Sequence, residues 1–302
     1  MSENAFLRMQ ASVMRKGPGR EFSFTADDFG RIRQMIFDHA GICLSNTKQD
    51  MVYNRLAPRL RETRTESFSE YLERLSGGDN KEWEKFVNSL TTNLTSFFRE
   101  PHHFPILGGH LRKLGKHQPR QIRIWCCAAS TGEEPYSIAM TAVETFGSFD
   151  VPVSIIASDL DTQVLEIAAK GTYTLEQTER LSRGRLRRFF VKNTDEQGDD
   201  SFTVRTELQR LISFERQNLL EFPWQVEGSL DAIFCRNVMI YFDKPTQYKI
   251  LTRFAPLMND NALLFAGHSE SFLHTADLFH LQGKTVYELT DKGRLFGGQP
   301  AE

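Results

Sequence analysis

The 302-residue chain has no apolar run approaching the roughly 20 residues that a membrane-spanning helix requires, so direct membrane insertion is not expected. Its first stretch, MSENAFLRMQASVMRKGPGREF, lacks the long apolar centre of a secretion signal. It reads as a mobile arm, residues 1–20, of a cytoplasmic protein. Cysteine is scarce: Cys43, Cys126, Cys127 and Cys235. No pair has zinc-ligand spacing and no disulfide framework emerges, as expected of buried free thiols in a reducing compartment. No metal site is expected. Adjacent His102 and His103 beside Glu100 point apart and read as the surface of a helix start. Excess positive charge is also missing, the net charge being −2. A global basic field for nucleic acid is thereby excluded. Nothing resembles a nucleophile–base pair.

What is present divides in two. Residues 21–90 are helical in pattern. In FTADDFGRIRQMIFDHAG, Thr25 is a helix cap, Phe29, Ile32, Ile36 and Ala40 share a face, and Gly41 is the stop. TKQDMVYNRLAPRLRETR, SFSEYLERL and NKEWEKFVNSL are further helices, which together suggest a small bundle. The second carries Lys48, Arg55, Arg59, Arg61 and Arg64. A solvated helix surface is the plain reading, and a landing site for an acidic partner is the sharper one. Pro58 is expected to kink or end this helix.

After residue 120 short apolar runs alternate with helical patterns: IRIWCCAA, VSIIASD, SLDAIFCRN, NALLFAG and KTVYELT. Fully apolar strands with helical crossovers predict a doubly wound α/β domain with a parallel sheet. Cys126 and Cys127, neighbours on one strand, should point to opposite faces. RRFFVK and SFTVRT, separated by a polar turn, read as a β-hairpin insert at about residues 176–212.

Such folds bind ligands beyond the carboxyl ends of their strands. The turn CCAASTGEEPYS has a strand, a small-residue loop and a helix start, with Ser130 or Thr131 as candidate caps. It has one glycine, Gly132, where a dinucleotide turn has three. Glu133 and Glu134 would repel a pyrophosphate by about 1 kcal/mol or more per close pair. A cationic ligand suits the site better. Asp159 ends the next strand, placed for a ribose diol, while Asp161 reads as a helix cap. Asn218 ends another strand, where its amide can sit beside a base. Arg236, Asn237 and Tyr241 follow the DAIFC strand. An adenosyl ligand with a positive tail and no phosphate, S-adenosylmethionine, satisfies these features.

The motifs MVYNRL, TTNLTSFFRE, HHFPIL, AASTGEEPYSIA, ASDLDTQVLE, FCRNVMIYFD and LFAGHSES, in this order, resemble the CheR family of chemotaxis receptor glutamate O-methyltransferases. The resemblance runs from about residue 25 to about residue 290. It implies a helical receptor-docking domain at 21–90, a linker at 91–106 contributing to the cofactor site, and a Rossmann-like methyltransferase domain at 107–302 with a small antiparallel insert. It further implies that Asn93, Thr95, Arg99, Glu134, Asp159, Asn218, Leu219, Arg236 and Asn237 contact S-adenosylmethionine or its product S-adenosylhomocysteine. Arg99 and Tyr241 would lie nearest the transferring methyl and the acceptor carboxylate. Arg55, Arg59 and Arg61 would meet the methylation helices of methyl-accepting chemotaxis receptors, and Pro58 departs from the family's Arg-rich pattern there. In some members the insert binds a peptide at the receptor's C-terminus. The protein is expected to act as a monomer. A nucleic-acid methyltransferase shares the fold, but base-amine types carry DPPY or NPPY where RNVMIYF stands here.

Overall fold

The computed structural model describes residues 20–117 and 120–295; the expected arm at 1–20 lies almost wholly outside the described residues. These form two compact units, dividing between Thr91 and Thr92. The first holds α1 (Ala26–Ala40), α2 (Gln49–Thr63), α3 (Phe68–Ser76) and α4 (Asn80–Leu90). Thr25 caps α1 in a reciprocal capping box with Asp28, and Gly41 ends it at φ 67°. Ile32, Ile36, Val52, Leu56, Leu60, Phe68, Leu72 and Phe86 form the core.

Pro58 does not end its helix: α2 continues to Thr63. Pro58 and Asn54 are both exposed, so water can take the carbonyl bond that proline cannot make, while Leu56, Ala57 and Leu60 anchor the opposite face.

The second unit begins with an irregular stretch from Thr92 and continues as α5 (His103–His117), β1 (Ile122–Cys126), α6 (Glu133–Phe146), β2 (Val153–Asp159), α7 (Thr162–Lys170), β3 (Thr172–Thr174), α8 (Leu175–Thr178), α9 (Arg183–Phe189), β4 (Phe190–Thr194), β5 (Asp200–Val204), α10 (Thr206–Gln209), β6 (Ile212–Arg216), β7 (Leu230–Cys235), α11 (Lys244–Phe254), β8 (Met258–Ala266), β9 (Phe279–Gly283) and β10 (Val286–Leu289). The main sheet has the order β6-β2-β1-β7-β8-β10-β9. The chain leaves β1 toward β2 and β6, then returns on the other side through β7 and β8. The switch point therefore lies between the carboxyl ends of β1 and β7. Cys126 joins the core on one face and Cys127 the core on the other.

Two expectations are corrected. The sheet is not parallel throughout, because β10 runs antiparallel to both β8 and β9. Only Lys284 and Thr285 join β9 to β10, too few for a parallel crossover, so the chain turns back and β10 pairs antiparallel between β9 and β8. The insert is more than a hairpin: β3, β5 and β4 make a three-stranded antiparallel sheet. Its strand β3 precedes residue 176, and Ile212 already belongs to the main sheet. A three-residue strand is too short to show periodicity.

Candidate functional site

The turn after β1 is built from hydrogen bonds that consume its own donors. The N–H of Ala129 bonds to Ser158 O at 2.9 Å, that of Ser130 to Asp159 Oδ2 at 2.8 Å, and that of Gly132 to Ala129 O at 3.0 Å. A pyrophosphate would find these amides already engaged. Gly132 itself caps α6 at φ 98°, and neither Ser130 nor Thr131 does so. Ser130 instead donates to Asn93 O at 3.1 Å, and Thr131 to Glu133 Oε2 at 2.6 Å. A Cβ on Gly132 would meet Tyr173 Oη at 2.7 Å and Ala168 Cβ at 2.9 Å. The glycine thus serves close packing against α7 and β3.

The two glutamates do not form a negative lip. Both are buried. Burial pushes the Glu133 carboxyl above the usual carboxylate range. Burial also raises Glu134, against the opposing pull of Arg236, whose Nη1 donates to Glu134 Oε2 at 2.7 Å. The case for a cationic ligand therefore rests less on these residues than their sequence position suggests. Asp159 is the acid at the crevice. It is half-buried, and it accepts from the Ser130 and Asp161 amides at 2.8 and 3.0 Å. Burial moves its carboxyl up to about 6. Each of its oxygens retains a lone pair for another donor. Asp161 caps α7 and also accepts from Asn93 Nδ2 at 2.8 Å.

Arg236, directly after β7, is buried and joins several groups. Besides Glu134, it donates to Arg99 O through Nη2, and that nitrogen lies 3.6 Å from Glu100 Oε2. Asn237 Nδ2 reaches Glu100 Oε1 at 3.4 Å, and His268 Nδ1 lies 3.2 Å from the same oxygen. Burial disfavours the Glu100 charge, but Arg236, His268 and Asn237 outweigh it and hold the carboxyl low. Glu270 accepts the amides of Gly267, Asn237 and Met239 at 2.5, 2.9 and 2.7 Å, which pins the loop after β7. A Cβ on Gly267 would meet Asn237 Nδ2 at 2.5 Å, so glycine is required there.

His103 is not a surface residue. Its ring is fully buried, and Nε2 lies 2.9 Å from the Lys284 carbonyl, which makes Nδ1 the unprotonated nitrogen. Burial, aided by Arg236, lowers its pKa to about 4. Glu100, His102 and His103 do bring ligand-type atoms within 4.8 Å of one another. The cation beside that carboxylate is the Arg236 guanidinium.

The remaining sequence candidates are distributed as follows. Arg99 is half-buried and donates from Nη1 to Leu94 O at 2.7 Å. Thr95 is half-exposed on the same stretch. Asn218 and Leu219 are buried just past β6; the Asn218 amide holds its own turn, accepting from Leu220 N at 3.0 Å. Tyr241 is half-exposed on the 3₁₀ turn Met239–Tyr241. Eight described non-glycine residues have positive φ, and four of them, Phe98, Glu100, Ser130 and Asn237, cluster here. Strain gathered in one place marks a region whose shape is imposed by the surrounding fold.

In the helical unit, Arg59 is buried rather than presented. Its Nε and Nη2 fork onto Glu82 at 2.9 and 2.7 Å, Nη1 pairs with Glu62, and Tyr71 Oη donates to the same Glu82 at 2.9 Å. Arg55 Nη1 donates to Thr91 O at 2.5 Å. Arg61 is exposed, paired with Glu21 at 2.8 Å.

Sequence reasoning missed Glu100, Glu270 and the Ser130 amide. Glu100 and Glu270 lie inside quoted motifs, so the signal was present without a role attached.

Comparison with known proteins finds relatives that match over both units. A family model described as CheR methyltransferase, SAM binding domain, matches residues 93–288, and one described as CheR methyltransferase, all-alpha domain, matches residues 27–91. Chemotaxis protein methyltransferase 2 of Pseudomonas aeruginosa is 50% identical over 269 residues, covering 89% of this chain and 95% of that protein. The chemotaxis protein methyltransferase of Escherichia coli is 49% identical over 263 residues, covering 87% and 90%. On these matches, which span both units, the chain belongs to the CheR methyltransferase family.

Proposed function

We propose that this protein transfers a methyl group from S-adenosylmethionine to glutamate side chains of chemotaxis receptors in the cytoplasm, giving glutamyl methyl esters. The observation that carries this reading is the crevice between β1 and β7. It offers an acid for a ribose diol at Asp159 and no free amide cradle for phosphate at Ala129, Ser130 or Gly132. The residues present fit an adenosyl ligand: Asn93, Thr95, Arg99, Glu134, Asp159, Asn218, Leu219, Arg236 and Asn237 would hold it. When bound, S-adenosylmethionine supplies an electrophilic methyl on a sulfonium.

The chain's own work is then positioning. A glutamate with an ordinary pKa near 4.3 is already ionised at neutral pH, so it needs no general base. The site accordingly needs to exclude water and align the carboxylate. Arg99 is held through its carbonyl by Arg236 and through Nη1 by Leu94 O, which leaves other guanidinium donors for the acceptor. Too tight a grip on the carboxylate would blunt the nucleophile. Tyr241 shapes the methyl pocket or holds the acceptor. Esterification removes a negative charge from an acidic receptor helix and so changes its repulsions.

In the helical unit Arg55 and Arg61 remain the docking candidates, while Arg59 is committed to Glu82 and Glu62. The test is radiolabel transfer from S-adenosylmethionine to receptor-rich membranes, followed by mild alkali. Release of labelled methanol is the expected result. Label that survives alkali would mean N-methylation and would defeat the reading.

A further inference from the structure

The small sheet is wired to the crevice. Phe97, fully buried, packs edge-on against Tyr173 of β3 at 4.9 Å and Phe190 of β4 at 5.6 Å. Tyr173 Oη donates to Thr131 O, in the turn after β1, at 2.8 Å. The next residue, Phe98, stands at φ 52°, and its N–H donates to Ser137 Oγ at 2.9 Å. Arg185, from α9, lies over the Phe98 ring with its guanidinium carbon 3.7 Å from the centroid. The same guanidinium forks onto Glu144 of α6, with Nε–Oε1 at 2.7 Å and Nη2–Oε2 at 2.8 Å.

The location gives this clamp its importance. A cavity of about 390 Å³ opens beside Phe98, lined by Phe104, Gly108, Arg112, Thr141 and Arg185. Phe98 is buried with its ring 4.7 Å from that of Phe104, and the stacked Arg185 guanidinium adds a second contact that ties the ring to α9. Phe98 directly precedes Arg99, and Glu100 after it is again at positive φ. A strained bend persists only when its surroundings over-determine it. A planar cation can lie flat on a ring while forking a carboxylate, which an ammonium cannot do.

We propose that Arg185 is a positioning residue for methyl transfer: it holds the Phe98–Glu100 bend, and with it Arg99, in the conformation the crevice needs. This rests on the methyltransferase reading above. The link also makes the small sheet a support for the crevice as well as an appendage.

The test compares R185A, R185K, F98L and R185A/F98L in the full chain. Three quantities are measured: hydrogen exchange at the Phe98 amide, S-adenosylhomocysteine affinity by calorimetry, and kcat and KM with receptor-rich membranes as acceptor. In R185A, exchange at Phe98 should accelerate and kcat fall about five- to tenfold, the order of a partly desolvated cation–π contact, with acceptor KM little changed. R185K should not restore either value, and R185A should add little on the F98L background. Unchanged exchange and kcat in R185A would overturn the proposal, as would full restoration by R185K or an undiminished further loss in the double variant. A wild type that binds no S-adenosylhomocysteine would defeat the methyltransferase reading instead, while the exchange measurement would still report on the clamp.

Discussion

Two buried arginines, one in each unit, show how the same chemistry serves different ends. Arg59 sits among Glu82, Glu62 and Tyr71, and none of its nitrogens is left without a partner. The backbone of α2 around it is regular helix. Arg236 likewise meets two carboxylates, Glu134 and Glu100, yet its Nε, Glu100 Oε2 and His103 Nδ1 have no hydrogen-bond partner among the described residues. Its neighbours Glu100 and Asn237 stand at positive φ. A closed network secures a fold. One that is incompletely satisfied and set in strained backbone marks a region shaped for something besides stability.

The sharpest way to break this comparison is at Arg59. Arg59→Ala leaves the buried Glu82 carboxylate with the Tyr71 hydroxyl but without its counter-cation, so unfolding of the helical unit should become easier by about 3–5 kcal/mol in a urea titration. If Arg59 were instead a docking cation, stability would hold and only receptor methylation would fall. Arg236→Lys should do the reverse. Without the fork it cannot hold both Glu134 and the Arg99 carbonyl, and a lost charged hydrogen bond of about 1.5–3 kcal/mol predicts a ten- to hundredfold loss of S-adenosylhomocysteine affinity. The loss of affinity should exceed the loss of stability.

A smaller effect comes from pH. Asp159 in the free protein titrates near 6, raised by burial above its unfolded value. Because the folded state binds the proton more tightly there, this group's contribution to stability decreases as pH rises from about 4 to about 6. Ligand affinity runs the opposite way: a ribose diol needs the ionised carboxylate, so calorimetry should show S-adenosylhomocysteine binding weaken below pH 6, by at most about tenfold per unit. Affinity independent of pH from 5 to 8 would remove Asp159 from the contact. The smallest effect should be at Arg61, an exposed residue paired with Glu21. Arg61→Glu should leave stability in a urea titration nearly unchanged, so any marked drop in receptor methylation would be a docking effect.

How much of this was legible in the sequence follows the range of the interaction. The α1 cap and stop, the Asp161 cap, the two faces of Cys126 and Cys127 and the switch-point loops are local patterns, and the sequence carries them directly. The burial of Arg59 is not local: Glu82 lies 23 residues on, and nothing in the spacing of Arg55 and Arg59 announces it. Glu133 and Glu134 misled for the same reason, since the partner that draws Glu134 inward, Arg236, is 102 residues away. Strand β9 reads FHLQG, mostly polar because it is an exposed edge, and β3 is too short to show a period. The cost of Pro58 depends on which side of the helix it occupies, and the solvent-facing side of α2 makes it small.

The central claim is that the crevice between β1 and β7 accepts an adenosyl ligand and refuses pyrophosphate. Titrating the full chain calorimetrically with S-adenosylhomocysteine, and separately with NAD, tests it most directly. The account predicts one-to-one binding of the first, abolished or strongly weakened in Asp159→Ala, and no heat from the second. Saturable NAD binding with no S-adenosylhomocysteine binding would contradict it.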